Sequence, residues 1–257
     1  LADSLTPSID VDGGGVWTGV QDWPLIGIHA TLTADNEVLS FGTNAEGMQG
    51  GQVYYDVWDY ETDTHTTLSG STPTDIFCSV SILIPETGDI LIVGGDARPL
   101  GSVNAGVKDV NVFDTDDYSL TPLPSSETGM EFARWYATAM TLSNGKILVV
   151  GGRDENYNGV GTPELYTPGG GFKSLEGAAS TEVANGWFYP RAWEASDGTV
   201  AIVTDLWQGT MYRIDPSGDG SIVYYGDLPF NMQNMLPAVM YREDKLMMMS
   251  DAGELWS

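Results

Sequence analysis

The sequence predicts an all-β chain assembled from repeated four-stranded units, and three observations carry that prediction. First, an apolar strand, a polar turn with Gly, Asn or Asp, and a second apolar strand ending in Gly or a small residue recur along the chain. Second, the second strands of these repeats end at Phe41, Val93, Val150, Val203 and Met249, at intervals of 52, 57, 53 and 46 residues. Third, 32 glycines and 13 prolines are spread through the 257 residues, a density of turn formers that suits short strands and disfavours long helices. Four strands at a period of about 50 residues mark a kelch-type β-propeller blade.

The elements follow in order. The first strand pairs are Ile28–Phe41, the segment Asp75–Val93, Ala133–Val150, Ala192–Val203 and Ala238–Met249. Each of the first four continues through a Gly-rich or polar loop into a third and a fourth strand. These are Val53–Asp59 with Thr64–Leu68, Val110–Asp114 with Ser119–Leu123, Glu164–Thr167 with Phe172–Leu175, and Met211–Asp215 with Ile222–Tyr225. The expected blades cover residues 24–70, 74–125, 130–177 and 186–228, with a partial fifth at 233–257 that stops after its second strand. The chain thus supplies about four and a half four-stranded blades. The first two strands of each blade lie toward the axis between neighbours, so both faces are apolar. The Gly94-Gly95 and Gly151-Gly152 pairs let backbones pass closely at a tight turn. A two-sheet sandwich would require neither even spacing nor repeated Gly-Gly.

Composition narrows the function. Ten Lys and Arg against 36 Asp and Glu give a net charge of −26, which argues against nucleic acid and anionic membranes as partners. It favours a soluble protein of a salty or calcium-containing medium. A hydrophobic fraction of 42% with eight Trp, twelve Tyr and seven Phe builds a core, which sets disorder aside. No apolar run approaches the roughly 18 residues that a membrane span needs. The segment Leu1–Pro7 has no signal-peptide pattern, which leaves a processed, secreted chain open. The closing segment Asp251–Ser257 reads as a strand in mid-pattern, so a piece of a longer chain is expected.

Candidate chemistry centres on Cys78, the sole cysteine, near the start of the second unit. The third unit opens in the same way and carries Tyr136 there. A lone thiol forms no internal disulfide; it is either a buried apolar filler or a reactive group. His29 reads as a core or axial histidine and His65 as a solvated turn residue, and their separation of 36 residues gives no local metal-ligand spacing. The acidic turns Asp114–Asp117 and Asp215–Gly220 are candidate calcium loops, although neither completes an EF-hand pattern and ordinary turns explain them. Met247–Met249 reads as strand core, and Gly13–Gly15 as a loop. No Ser-His-Asp set, phosphate loop or zinc spacing is present.

The segments Phe77-Cys78-Ser79 with Gly94-Gly95, and Ala133-Arg134-Trp135-Tyr136 with Gly151-Gly152, resemble the galactose oxidase and glyoxal oxidase family of copper radical oxidases. Trp23-Pro24 followed by Ile28-His29-Ala30 is similar to the first blade of the glyoxal oxidase branch, and Phe188-Tyr189-Pro190-Arg191 to the fourth unit of its bacterial relatives. The resemblance implies a seven-bladed propeller with one copper near the axis. It implies a thioether between Cys78 and the ring of Tyr136, with Tyr136 binding copper and carrying a radical. A small aldehyde or primary alcohol would be oxidised and dioxygen converted to hydrogen peroxide, outside the cell or at its surface. Copper(II) suits imidazole and phenolate donors, and a thioether would tune and orient the ring.

Two departures qualify the resemblance. The family's second tyrosine, directly followed by a histidine, and its further histidine have no counterpart here, since there is no Tyr-His pair. This chain by itself is therefore expected to be copper-free and inactive, with the ligands supplied by the rest of its own propeller. The family's radical-shielding aromatic is also absent from Gly151-Gly152-Arg153-Asp154, which points away from a galactose-like substrate. The rival readings are a non-catalytic kelch propeller that binds glycan or protein at an extracellular surface, and a structural propeller in a surface assembly. Trp135 is expected to alternate away from Tyr136 or to form the site rim. Arg134 is expected to serve as a blade-to-blade salt bridge or carbonyl partner.

Overall fold

The computed structural model describes residues 19–49, 54–70, 72–97, 104–204, 209–230 and 236–257. The Gly13–Gly15 loop, the N-terminal segment and Val53 of the expected third strand lie outside the described residues.

The fold is all-β and propeller-like. Strands β1 (Ile26–Leu32), β2 (Val38–Thr43), β3 (Tyr54–Asp59) and β4 (Thr64–Ser69) form the first sheet in sequence order. The second holds β5 (Val80–Leu83), β6 (Ile90–Val93), β7 (Val110–Phe113) and β8 (Leu120–Pro122). The third holds β9 (Trp135–Thr141), β10 (Ile147–Arg153), β11 (Glu164–Thr167) and β12 (Gly171–Ser174). The fourth holds β13 (Arg191–Glu194), β14 (Val200–Val203), β15 (Thr210–Asp215) and β16 (Ser221–Asp227). Strands β17 (Ala238–Arg242), β18 (Lys245–Met249) and β19 (Leu255–Trp256) make a three-stranded sheet. The closing segment is thus already paired: Leu255 and Trp256 lie opposite Met249 and Met248. This corrects the expectation that the fifth unit stops after its second strand.

Every pairing between these strands is antiparallel, and the second strands explain why the sheets stack. Ile90 and Ile92 join a core with Leu39, Phe41, Tyr55 and Val57 of the first sheet. Leu91 and Val93 point the other way, to Ala137, Ile147 and Val149 of the third. Leu148 and Val150 repeat the device against Val200 and Ile202 of the fourth. Side chains alternate across a strand, so a continuous apolar run serves two interfaces at once. Between the fourth and fifth sheets the buried core shrinks to Val203 and Met248.

The first strands lie side by side: β1 packs against β5, β5 against β9, and β9 against β13. These first strands form one continuous inner row. A single helical turn, α1 (Thr181–Asn185), precedes the fourth sheet, where Ser180 Oγ accepts from the backbone N–H groups of Glu182 and Val183. No helix among the described residues is long and apolar enough to cross a membrane.

Candidate active site

Three residues at equivalent places on successive sheets have left-handed backbone: Cys78 (φ 58°), Tyr136 (φ 65°) and Tyr189 (φ 45°). None is glycine, so each carries strain that its surroundings must hold. The restraint is a relay between sheets. Tyr136 N–H donates to Cys78 O at 3.1 Å, and Tyr189 N–H donates to Tyr136 O at 3.0 Å. The glycine pairs make room beside it. A Cβ on Gly94 (φ 70°) would stand 2.3 Å from Arg134 O, and one on Gly151 (φ 68°) would stand 2.6 Å from the Pro190 ring.

Cys78 is buried, and the Tyr136 hydroxyl hydrogen-bonds to its sulfur. Burial, then this bond and the charge of Cys78, push the Tyr136 phenol well above the usual tyrosine range; the Arg153 charge opposes them. Burial also raises the Tyr189 phenol, helped by the charges of Cys78 and Tyr136. Both phenols are therefore neutral near pH 7. Beside Tyr189 opens a cavity of about 330 Å³, lined also by Thr138, Pro190, Arg191, Ala192 and Trp193.

Aromatic rings enclose Tyr136. Trp135 stacks on it at 3.8 Å between centroids, and Trp187 lies nearly parallel at 6.3 Å. Phe188 meets it edge-on at 4.7 Å, and Tyr189 leans in at 4.9 Å. Trp135 was expected to alternate away or to sit at the rim. The left-handed turn at Tyr136 breaks that alternation and brings the two rings together. Trp187, Phe188 and Tyr189 come from the segment before β13. Their sequence signal was the Phe-Tyr-Pro-Arg run, but its contact with Tyr136 follows only from the packing of adjacent sheets.

Arg134 anchors the start of β9. It is fully buried, with Nε and Nη2 donating to Glu164 Oε2 at 3.0 and 2.8 Å. Nη1 donates to Gly151 O at 2.5 Å and Nη2 to Thr162 O at 2.7 Å. Glu164 lies on β11 of the same sheet, so the pair braces one blade, which corrects the expected blade-to-blade salt bridge, while the expected role as carbonyl partner is met at Gly151 O and Thr162 O. Links to the next sheet come from the Arg134 backbone, whose N–H donates to Val107 O and whose carbonyl accepts from Gly95 N–H.

The two histidines lie elsewhere. His29 stacks on Phe41, and burial lowers its pKa from 6.5 to about 4. His65 was read as a solvated turn residue. It lies on β4 instead, with Nδ1 2.6 Å from Oδ2 of the buried Asp56 and its ring near Trp23 and Trp58. The acidic turns are closed on themselves: Asp114 Oδ1 accepts from Asp116 N–H, and Asp215 Oδ1 from Ser217 N–H. No group of three or more His, Cys, Asp or Glu among the described residues could hold a metal. The axial cluster offers two phenols and a thiol with no imidazole beside them. These donors do not by themselves make a copper(II) site.

Fold and site together define a propeller-like β protein with a Cys–Tyr pair held at the inner edge of adjacent blades. No family model matches the chain. It is similar to a WSC domain-containing protein of Arthroderma benhamiae, 37% identical over 99 residues, or 36% of this chain and 10% of that one. The chain therefore spans about a tenth of the length of that curated relative. A fungal alcohol oxidase of the AA5 family, solved in complex with copper, superposes with a TM-score of 0.67 at 22% identity, over 88% of this chain and 47% of that one. The structure of YjhT gives a TM-score of 0.54 at 12% identity over 83% of this chain and 68% of the other. A protein of unknown function from Dyadobacter fermentans gives 0.51 at 14% identity over 86% and 74%. At such identities these likenesses establish a shared fold.

Proposed function

We propose that this chain is part of a copper radical oxidase-like protein, outside the cell or at its surface, that oxidises a small aldehyde or primary alcohol with dioxygen and releases hydrogen peroxide. The carrying observation is the contact between the Cys78 sulfur and the Tyr136 hydroxyl on adjacent blades, inside a shell of aromatic rings. Cys78 and Tyr136 are the proposed cross-linked pair, and Tyr136 a proposed copper ligand. The imidazole donors would come from chain outside this sequence, within further blades of a seven-bladed ring. The 257 residues alone would then be inactive. The glyoxal oxidase-like branch is the proposed relative, on Phe77-Cys78-Ser79 and Arg134-Trp135-Tyr136.

What this chain itself contributes can be stated at its atoms. The inter-sheet hydrogen bonds fix where Cys78 and Tyr136 stand, and Trp135 stacks on one face of the Tyr136 ring, which stays partly exposed. Cross-linking removes the S–H and one ring C–H hydrogen and forms one C–S bond, with two protons and two electrons passing to dioxygen. Intact-mass and peptide analysis of the full-length protein, treated with copper(II) in air, tests the reading. The expected result is a mass lower by two hydrogens and a joined Cys78–Tyr136 peptide pair. Full alkylation of Cys78 after that treatment would reject the oxidase. It would favour the rival reading, a non-catalytic propeller that binds glycan or protein.

A further inference from the structure

Two hydrogen-bond donors beside the Cys78–Tyr136 pair have no acceptor. Arg153 Nε and Trp135 Nε1 are both buried and unpartnered among the described residues. They belong to groups in contact, since the Arg153 guanidinium carbon lies 4.2 Å from the Trp135 ring centroid. Tyr157 and Trp187 flank the same guanidinium at 5.0 and 5.1 Å. Trp135 in turn stacks on Tyr136 at 3.8 Å, so the unpaired donors lie one ring away from the candidate reacting phenol.

Nothing nearby on the described chain answers them. The adjacent Asp154 is committed to its own loop, where Oδ1 accepts from the N–H groups of Asn156 and Asn158 at 2.8 and 2.9 Å. The four ion pairs among the described residues do not include Arg153. In a chain with 36 acidic residues and 10 basic ones, this arginine is held by aromatic rings and not by a carboxylate. A buried donor without an acceptor loses its water and gains nothing in return, so native structures rarely leave two side by side. A guanidinium held among aromatic rings is a planar fork of donors with restricted freedom, suited to a carboxylate. Arg153 as a whole is half-buried and lies beside the exposed Tyr157, and its Nη atoms are not among the buried unpaired donors, so a small solute can reach the guanidinium although Nε is covered.

We propose that Arg153 and Trp135 form a carboxylate-binding subsite that takes the acid end of a small organic acid, whose other end then lies toward Tyr136. As a substrate-recognition site this rests on the oxidase reading; as an anion site it stands on the unpaired donors alone.

The test uses the protein as it exists and needs no turnover. Propionate and propionamide, matched in shape and differing in charge, are titrated while the Trp135 indole N–H resonance is followed by nitrogen-15 NMR. Propionate is expected to move that resonance saturably and propionamide at least ten-fold more weakly. Arg153→Gln should weaken propionate at least ten-fold, and Arg153→Lys, which keeps the charge without the fork, by an intermediate factor. Equal binding of acid and amide, no saturation, or an unchanged response in Arg153→Gln overturns the subsite and leaves ordered water as the acceptor. If Arg153→Gln fails to fold, the acid–amide comparison on the native protein and Arg153→Lys still decide. Saturable propionate binding alongside a fully alkylatable Cys78 would keep the subsite and reject the oxidase; the reverse pair would keep the oxidase and reject the subsite.

Discussion

The Tyr136 phenol and the His29 imidazole, both kept neutral by the fold, make stability depend on pH at the alkaline and acid ends. The Tyr136 phenol is raised by burial and by its bond to Cys78, while an unfolded tyrosine ionises near pH 10. Above about pH 10 the unfolded chain sheds a proton that the folded one retains, so this contribution is whole below that pH and lost as the pH rises through the folded value. Urea midpoints should therefore fall above pH 10, and Tyr136→Phe should make that fall shallower. His29 acts on the acid side. Its pKa drops from 6.5 to about 4 on burial, so the unfolded chain binds the proton first. The folded state keeps this advantage above pH 6.5 and loses it as the pH falls toward 4, by an amount on the order of 3 kcal/mol. His29→Phe should flatten the stability profile between those values, and an unchanged profile in urea titrations would refute the assignment.

Strands were legible in the sequence because each inner strand is apolar at consecutive positions, and consecutive positions face two neighbouring blades. Ile90, Leu91, Ile92 and Val93 show it directly, each being almost wholly buried. That Cys78 and Tyr136 stand next to each other was legible from the repeat frame and a family resemblance. Trp135, Trp187 and Tyr189 were not, because strand alternation fails at a left-handed residue and because Trp187 arrives from another unit. His65 was misplaced because its partner, Asp56, lies on the neighbouring strand, where turn composition says nothing. The Gly94 position joins strand geometry to the site. Gly94→Ala would set a methyl group 2.3 Å from Arg134 O in a left-handed conformation. The conformation alone costs about 1–2 kcal/mol, and the clash pushes the start of β9 and Tyr136 away from Cys78. A lower melting temperature should come with a weakened near-ultraviolet circular dichroism signal from the Trp135–Tyr136 stack. Loss of stability with that signal intact would separate the glycine from the site.

At the scale of the whole molecule, the row of described sheets ends in two unlike apolar faces. The first sheet exposes Ile26 (45%), Ile28 (51%) and Leu32 (60%), while the last exposes Tyr241 (49%), Leu255 (65%) and Trp256 (40%). In the middle of the row the second strands β6 and β10 bury apolar side chains on both faces, so an exposed apolar face on an outer sheet is suited to contact with another apolar face. Two different apolar faces on one molecule favour head-to-tail contact, which extends unless the rotation closes a ring. A net charge of −26 opposes that contact at long range, and salt screens the repulsion while leaving the apolar attraction in place. The 257-residue chain should therefore sediment mainly as a monomer at low ionic strength and associate as sodium chloride rises from about 10 mM toward 1 M, where the screening length shrinks from about 30 Å to 3 Å. Leu255→Lys should suppress the association without lowering the melting temperature, since that side chain is 65% exposed. Association that weakens with salt would mean that charge pairs, and not the two apolar faces, hold the copies together.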